Sequence, residues 1–83
     1  MDTEYIRSTI QELLDNHVLN IDKLRKLYRD LTLHNARLIL DDKEDIHLRN
    51  VENFMSHAIT LYDRGNVDDW VLQLQAAIAI ISK

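Results

Sequence analysis

At 83 residues with a formal net charge of −4, the chain has room for one core and no second domain. Hydrophobic residues make up 46% of it, enough apolar surface to exclude a disordered chain, and a pI near 5.4 argues against gross electrostatic binding to nucleic acid or anionic lipid. The absence of cysteine excludes a disulfide framework, a thiolate zinc site and a cysteine nucleophile.

One glycine and no proline leave the chain almost without punctuation, and its apolar residues recur at helical spacing throughout. An all-α fold is expected: an antiparallel bundle of three to four helices, at about 3–16, 21–40, 43–64 and 67–82, in a single domain 1–83. In the first helix Ile6, Ile10, Leu13, Leu14 and His17 share a face. Asn20 then makes a good N-cap, with Asp22 complementing the helix dipole and Leu19 and Leu24 placed as a hydrophobic staple. The second helix carries Ile21, Leu24, Leu27, Tyr28, Leu31 and Leu38 inward, while Leu33, Ala36 and Leu40 drift around its side.

Where that helix ends is less determined. Asp41 with Glu44, or Asp42 with Asp45, offers a capping-box-like start for the third helix. No breaker forces a turn there, so one helix from Ile21 to Arg64 is the alternative to the break favoured here. The third helix presents Val51, Phe54, Met55, Ala58, Leu61 and Tyr62, with Leu48 and Ile59 flanking. Gly65 is suited to the left-handed conformation that ends it, and Asn66 to capping the next helix, whose first turn holds Asp68 and Asp69.

The fourth helix is apolar on two sides. Val67, Trp70, Val71, Leu74, Ala77, Ile78 and Ile81 form one face; Leu72, Ala76, Ala79 and Ile80 form a second, separated by Gln73 and Gln75. A surface helix needs only one such face, so the second is expected to meet another chain, with a homodimer as the simplest outcome. Scattered exposed apolar residues are the plainer alternative. Val67-Asp68-Asp69-Trp70 followed by Leu74, Ile78 and Ile81 is similar to the last helix of bacteriocin immunity proteins, which are antiparallel four-helix bundles but tend to be basic. Ala77-Ile78-Ala79-Ile80-Ile81 looks like the tail of small type III secretion needle co-chaperones, whose helical hairpins mask a partner's apolar helix. Both likenesses are short, and neither assigns the chain to a family.

Chemistry-bearing patterns are sparse. His17, His34, His47 and His57 have no i, i+4 pairing, so no metal site is expected, and His57 reads as a half-buried histidine between Phe54 and Leu61. A calcium loop starting at Asp41 fails because Lys43 fills a ligand position and Ile46 that of the required glycine. Ser56 and His57 point about 100° apart on a helix, and no glycine-rich elbow presents the serine. No enzyme and no cofactor is expected. Lys23, Arg25, Lys26 and Arg29 give the second helix a local positive face for an acidic protein partner, or for DNA as a rival reading; Asp22 and Asp30 in the same stretch count against DNA. The acidic start Met1-Asp2-Thr3-Glu4 lacks the features of a signal peptide, and the apolar run 71–81 is about half the ~20 residues of a membrane span. A soluble cytoplasmic protein that binds another protein is therefore expected.

Overall fold

A computed structural model describes residues 2–16 and 19–82. The fold is all-α, with four helices: α1 Thr3–Asp15, α2 Ile21–Leu40, α3 Ile46–Asp63 and α4 Val67–Ile81. Successive helices are neighbours and α4 closes the ring onto α1, with α1 and α3, and α2 and α4, on the diagonals. Ion pairs and hydrogen bonds fix the directions. Lys23 Nζ at the start of α2 meets Glu12 near the end of α1, and Arg25 meets Asp63 at the end of α3, each at 2.7 Å. At the opposite end of α2, Asn35 bonds to residues of the first two turns of α3. The bundle is therefore up-down-up-down, its long axis of 38 Å accommodating α2, whose 20 residues span roughly 30 Å.

One core runs through all four helices. Ile6, Ile10 and Leu13 enter from α1, Leu24, Leu27 and Leu31 from α2, Leu48, Val51, Met55 and Ala58 from α3, and Trp70, Leu74 and Ala77 from α4. The contact between α3 and α4 is the most extensive, and that between α1 and α2 the least. Wholly buried Ala58 and Ala77 suit the close approach of α3 to α4, because a methyl group lets helix axes come near. Leu48 is thus core rather than flanking, whereas Tyr62 is 38% exposed. The expected inward positions of His17 and of the Val67 side chain lie outside the described residues.

The helix ends explain how so few breakers suffice. Asp2 caps α1, accepting from the Glu4 N–H at 3.0 Å, and Asn20 caps α2, accepting from the Lys23 N–H at 3.2 Å. After α2, the Lys43 N–H donates to the Leu38 carbonyl at 2.8 Å and the Asp42 N–H to Ile39 at 3.1 Å, with Asp42 at φ 58°. After α3, the Asn66 N–H donates to Leu61 at 2.9 Å and the Gly65 N–H to Tyr62 at 3.0 Å, with Gly65 at φ 73°. These are two Schellman motifs with the same bond pattern, one built on glycine and one on aspartate. They correct two expectations. Asp41 and Asp42 end α2 rather than begin α3, whose cap is Asp45, bonded to the His47 and Leu48 N–H groups at 3.0 and 3.2 Å. Helix α3 therefore starts at Ile46, not at 43. Asn66 does stand at the N-cap position of α4, but its side chain makes no capping bond.

Asn35 is the buried polar residue that locks α2 to α3. It is 3% exposed, and its Nδ2 donates to the Leu48 carbonyl at 3.2 Å and to Glu52 Oε1 at 2.8 Å. A slip of one helical position would leave that amide buried without acceptors, at a cost of about 1–3 kcal/mol.

Three sets of variants check these features by chemical denaturation. Asn20→Ala and Asp45→Ala each lose about 1 kcal/mol, while Asn66→Ala loses only a few tenths, because only the first two remove a capping bond. Gly65→Val loses about 1–2 kcal/mol, and Asp42→Gly gains stability, because a side chain is strained in the left-handed region. Asn35→Ala loses roughly 1–3 kcal/mol; a neutral Asn35→Ala would remove the amide from any role in register.

Candidate interaction faces

The seven residues singled out from the sequence fall on two diagonally opposed helices. Leu72, Ala76, Ala79 and Ile80 lie on α4; Lys23, Lys26 and Arg29 lie on α2, diagonally across the bundle. The structure does not bring the two sets together.

On α4 the second apolar stripe divides. Leu72 is 60% exposed and Ala79 is exposed, whereas Ala76 is half-buried and Ile80 is half-buried and packs against the core. Helical spacing explains the split. Gln73, Ala76 and Ile80 recur at i, i+3 and i+7 along the side turned toward α3. At one end of that line Gln73 borders a groove of about 300 Å³ with His57, Thr60, Leu61 and Arg64 of α3. At the other, Ile80 and Ile81 share a groove with Thr3, Asp45, His47 and Leu48. Leu72, Gln75 and Ala79 therefore remain as the outward strip. His57 is exposed on the rim of its groove, which corrects the expectation of a half-buried histidine.

The positive face of α2 is smaller than the residue list suggests. Lys23 is tied to Glu12 and Arg25 to Asp63. Lys26 and Arg29 remain, both exposed and without an ion-pair partner among the described residues. What the sequence reading passed over is their continuation. Lys26, Arg29, Leu33, Ala36 and Leu40 follow one another at alternating spacings of three and four residues, and all five are exposed. They lie opposite the buried line Leu24, Leu27, Leu31 and Asn35. Leu33 is 59% and Leu40 is 85% exposed, so the side read as drifting is a second apolar seam. The three-four spacing was the available signal.

A hydrogen bond from Arg7 holds the Glu4 carboxyl below the usual carboxylate range, and Glu4 and Glu44 raise Arg7 and Arg49; all four belong to surface ion pairs. The described histidines and carboxylates form no group of three able to hold a metal ion. No helix among the described residues is long and apolar enough to cross a membrane. Folding lowers the pKa of His34. Desolvation is the largest cause of its lowered pKa, the nearby Arg37 charge adds to it, and Asp45 opposes it.

That shift has a defined sign. A histidine whose pKa is lowered by folding binds fewer protons folded than unfolded, so its contribution is full above the unfolded pKa and falls as pH drops below it. Thermal unfolding between about pH 7.5 and pH 5 should therefore show a steeper loss of stability for the wild type than for His34→Gln. Equal slopes would mean that the imidazole is as easily protonated in the bundle as in the unfolded chain.

Compared with known family models, with curated proteins and with solved structures, the chain has no match in any of the three, so its fold and its faces stand on their own physical chemistry.

Proposed function

We propose that this chain acts by binding another protein, as a small regulator, inhibitor or chaperone-like adaptor, and performs no chemistry of its own. The observation that carries this reading is the outward strip of α4, where Leu72 stays 60% exposed beside Ala79 while Trp70, Leu74 and Ala77 of the same helix complete the core. An apolar side chain that the fold does not use is available to a partner. Leu72, Gln75 and Ala79 stand at i, i+3 and i+7, the anchor spacing of helix-to-helix docking. Ala79 lets a partner helix approach closely, and Leu72 is the side chain that it would bury, stabilising the complex by about 1.5–3 kcal/mol. Asp68 and Asp69, in the first turn of α4, give the strip an acidic end that favours a partner with basic residues there.

Leu72→Glu places a charge on this strip without touching the core. A tagged wild-type chain incubated with extract of its native host should retain a protein that the Leu72→Glu and Ala79→Glu variants lose, with circular dichroism and melting temperature unchanged. Ile80→Glu is the contrasting variant: Ile80 leans on the core, so it should lower the melting temperature as well. Equal capture by wild type and Leu72→Glu would remove α4 from the function.

A further inference from the structure

The outward strip of α4 does not stand alone. Gln75 belongs to it, between Leu72 and Ala79, and the same Gln75 lines a groove of about 300 Å³ between α4 and α1. Leu14 of α1 with Val71 and Ile78 of α4 gives that groove its apolar lining, each half-buried against the core, and exposed Gln11 and Asp15 edge it. Asp68, Val71, Leu72, Gln75, Ile78 and Ala79 recur at spacings of three and four, so groove and strip are one continuous side of α4. Asp69 falls with Gln73, Ala76 and Ile80 on the opposite side, toward α3.

The unpaired charge along this side has one sign. Apart from Arg7 and Lys83, every lysine and arginine of the chain lies between residues 23 and 64. Arg7 is held by Glu4, which leaves α1 and α4 with no unpaired cation among the described residues. Their surroundings supply none either. Where α1 ends and α4 begins, Lys23 is paired with Glu12 and Arg25 with Asp63. Arg64 lies beside Gln73 in the groove on the α3 side of α4, and Lys26 stands on the outer face of α2. Asp15 and Asp68 are exposed at that end of the α1–α4 groove, and neither has an ion pair; Asp15 accepts the Gln11 amide at 2.9 Å.

We infer that the partner of α4 is a cationic amphipathic helix of another protein, which lies in the α1–α4 groove with its basic residues over Asp15 and Asp68. This rests on the protein-binding function proposed for the chain, and adds the chemistry of the partner and the side of α4 that it covers. The groove runs lengthwise between two helices, a shape that takes a third. The apolar stripe of the incoming helix meets Leu14, Val71 and Ile78 within the groove and Leu72 and Ala79 beside it. A neutral or acidic helix would draw water away from the two carboxylates and give them nothing in return. A second copy presenting the same face has no unpaired cation for them among its described residues. A cationic helix alone matches both features, charge at the end of the groove and apolar surface along it.

Two fluorescent peptides test it by anisotropy: an amphipathic helix of leucine and lysine roughly five turns long, and the same peptide with glutamate in place of lysine. The wild type should bind the lysine peptide at micromolar concentration, more weakly as salt rises, and should not bind the glutamate peptide. Asp15→Asn with Asp68→Asn should weaken binding by about two- to fivefold for each carboxylate removed. Leu72→Gln should weaken it by about tenfold or more through lost apolar contact. Asp41→Asn with Asp42→Asn makes the same change of charge at the other end of the bundle, and Asp69→Asn makes it on the α3 side; both should bind as the wild type does. Circular dichroism should be unchanged throughout. Binding of both peptides, binding of neither, or an equal loss in the Asp41 and Asp42 pair or in Asp69→Asn would overturn the inference. So would self-association of the wild type that excludes the lysine peptide, which would make a second copy the occupant. Loss in Leu72→Gln with full binding by the Asp15 and Asp68 pair would overturn the cationic partner while leaving α4 as the docking helix. Full binding by Leu72→Gln would remove α4 itself.

Discussion

The bundle exists because the chain reverses at residues 41–45. Without that reversal, residues 21–64 would form one rod of roughly 66 Å, with the apolar faces of its two halves unable to reach each other. The reversal is held by two backbone hydrogen bonds, from Asp42 to Ile39 and from Lys43 to Leu38, and by Asp42 in a left-handed conformation. Asp45 then restarts the helix by accepting two backbone N–H groups. Once α3 is folded back on α2, Leu24, Leu27 and Leu31 face Val51, Met55 and Ala58 across one core. The second reversal, at Gly65, adds α4 on the far side of α3 with the same bond pattern and no strain on a side chain.

Apolar packing alone would allow α2 and α3 to slide, because leucine-rich faces accept one another in several registers. Asn35 removes that freedom by placing an amide where only the Leu48 carbonyl and the Glu52 carboxylate can receive it. The exposed ion pairs Lys23–Glu12 and Arg25–Asp63 join the same end of the bundle, but each contributes at most about 1 kcal/mol. Their larger effect is on the surface. They neutralise the basic start of α2 and leave Lys26 and Arg29 as its free cations among the described residues. The positive patch at the start of α2 is therefore a product of folding as much as of sequence, since two of its four cations are paired within the bundle.

The exposed apolar residues of α2 and α4 follow from one property of a small bundle: four short helices need fewer apolar residues inside than this chain supplies. Each helix gives three or four residues to the core, and the surplus collects where helical spacing sends it. On α4 it is Leu72 beside the small Ala79, suited to the approach of a foreign helix. On α2 it is bulky, with Leu33 and Leu40 exposed.

Helical spacing and the lack of strand signals made the all-α bundle legible, because a periodicity of 3.6 residues is written directly into the positions of Ile6, Ile10, Leu24, Leu31, Val51, Met55 and Leu74. Asn20 and Gly65 were legible for the same local reason: their roles depend on neighbours a few residues away. The two caps expected of Asp41 and Asp42 were not borne out because aspartate serves a helix start and a left-handed helix end alike, and only the folded chain chooses between them. Leu72, Ala76, Ala79 and Ile80 read as one stripe in sequence, yet the position of α3 splits them into an outward pair and an inward-leaning pair. Leu33, Ala36 and Leu40 carried the three-four spacing of a seam all along. That the seam faces solvent was decided by tertiary structure, because a helix with two apolar sides reveals which one it has buried only when its neighbours are in place.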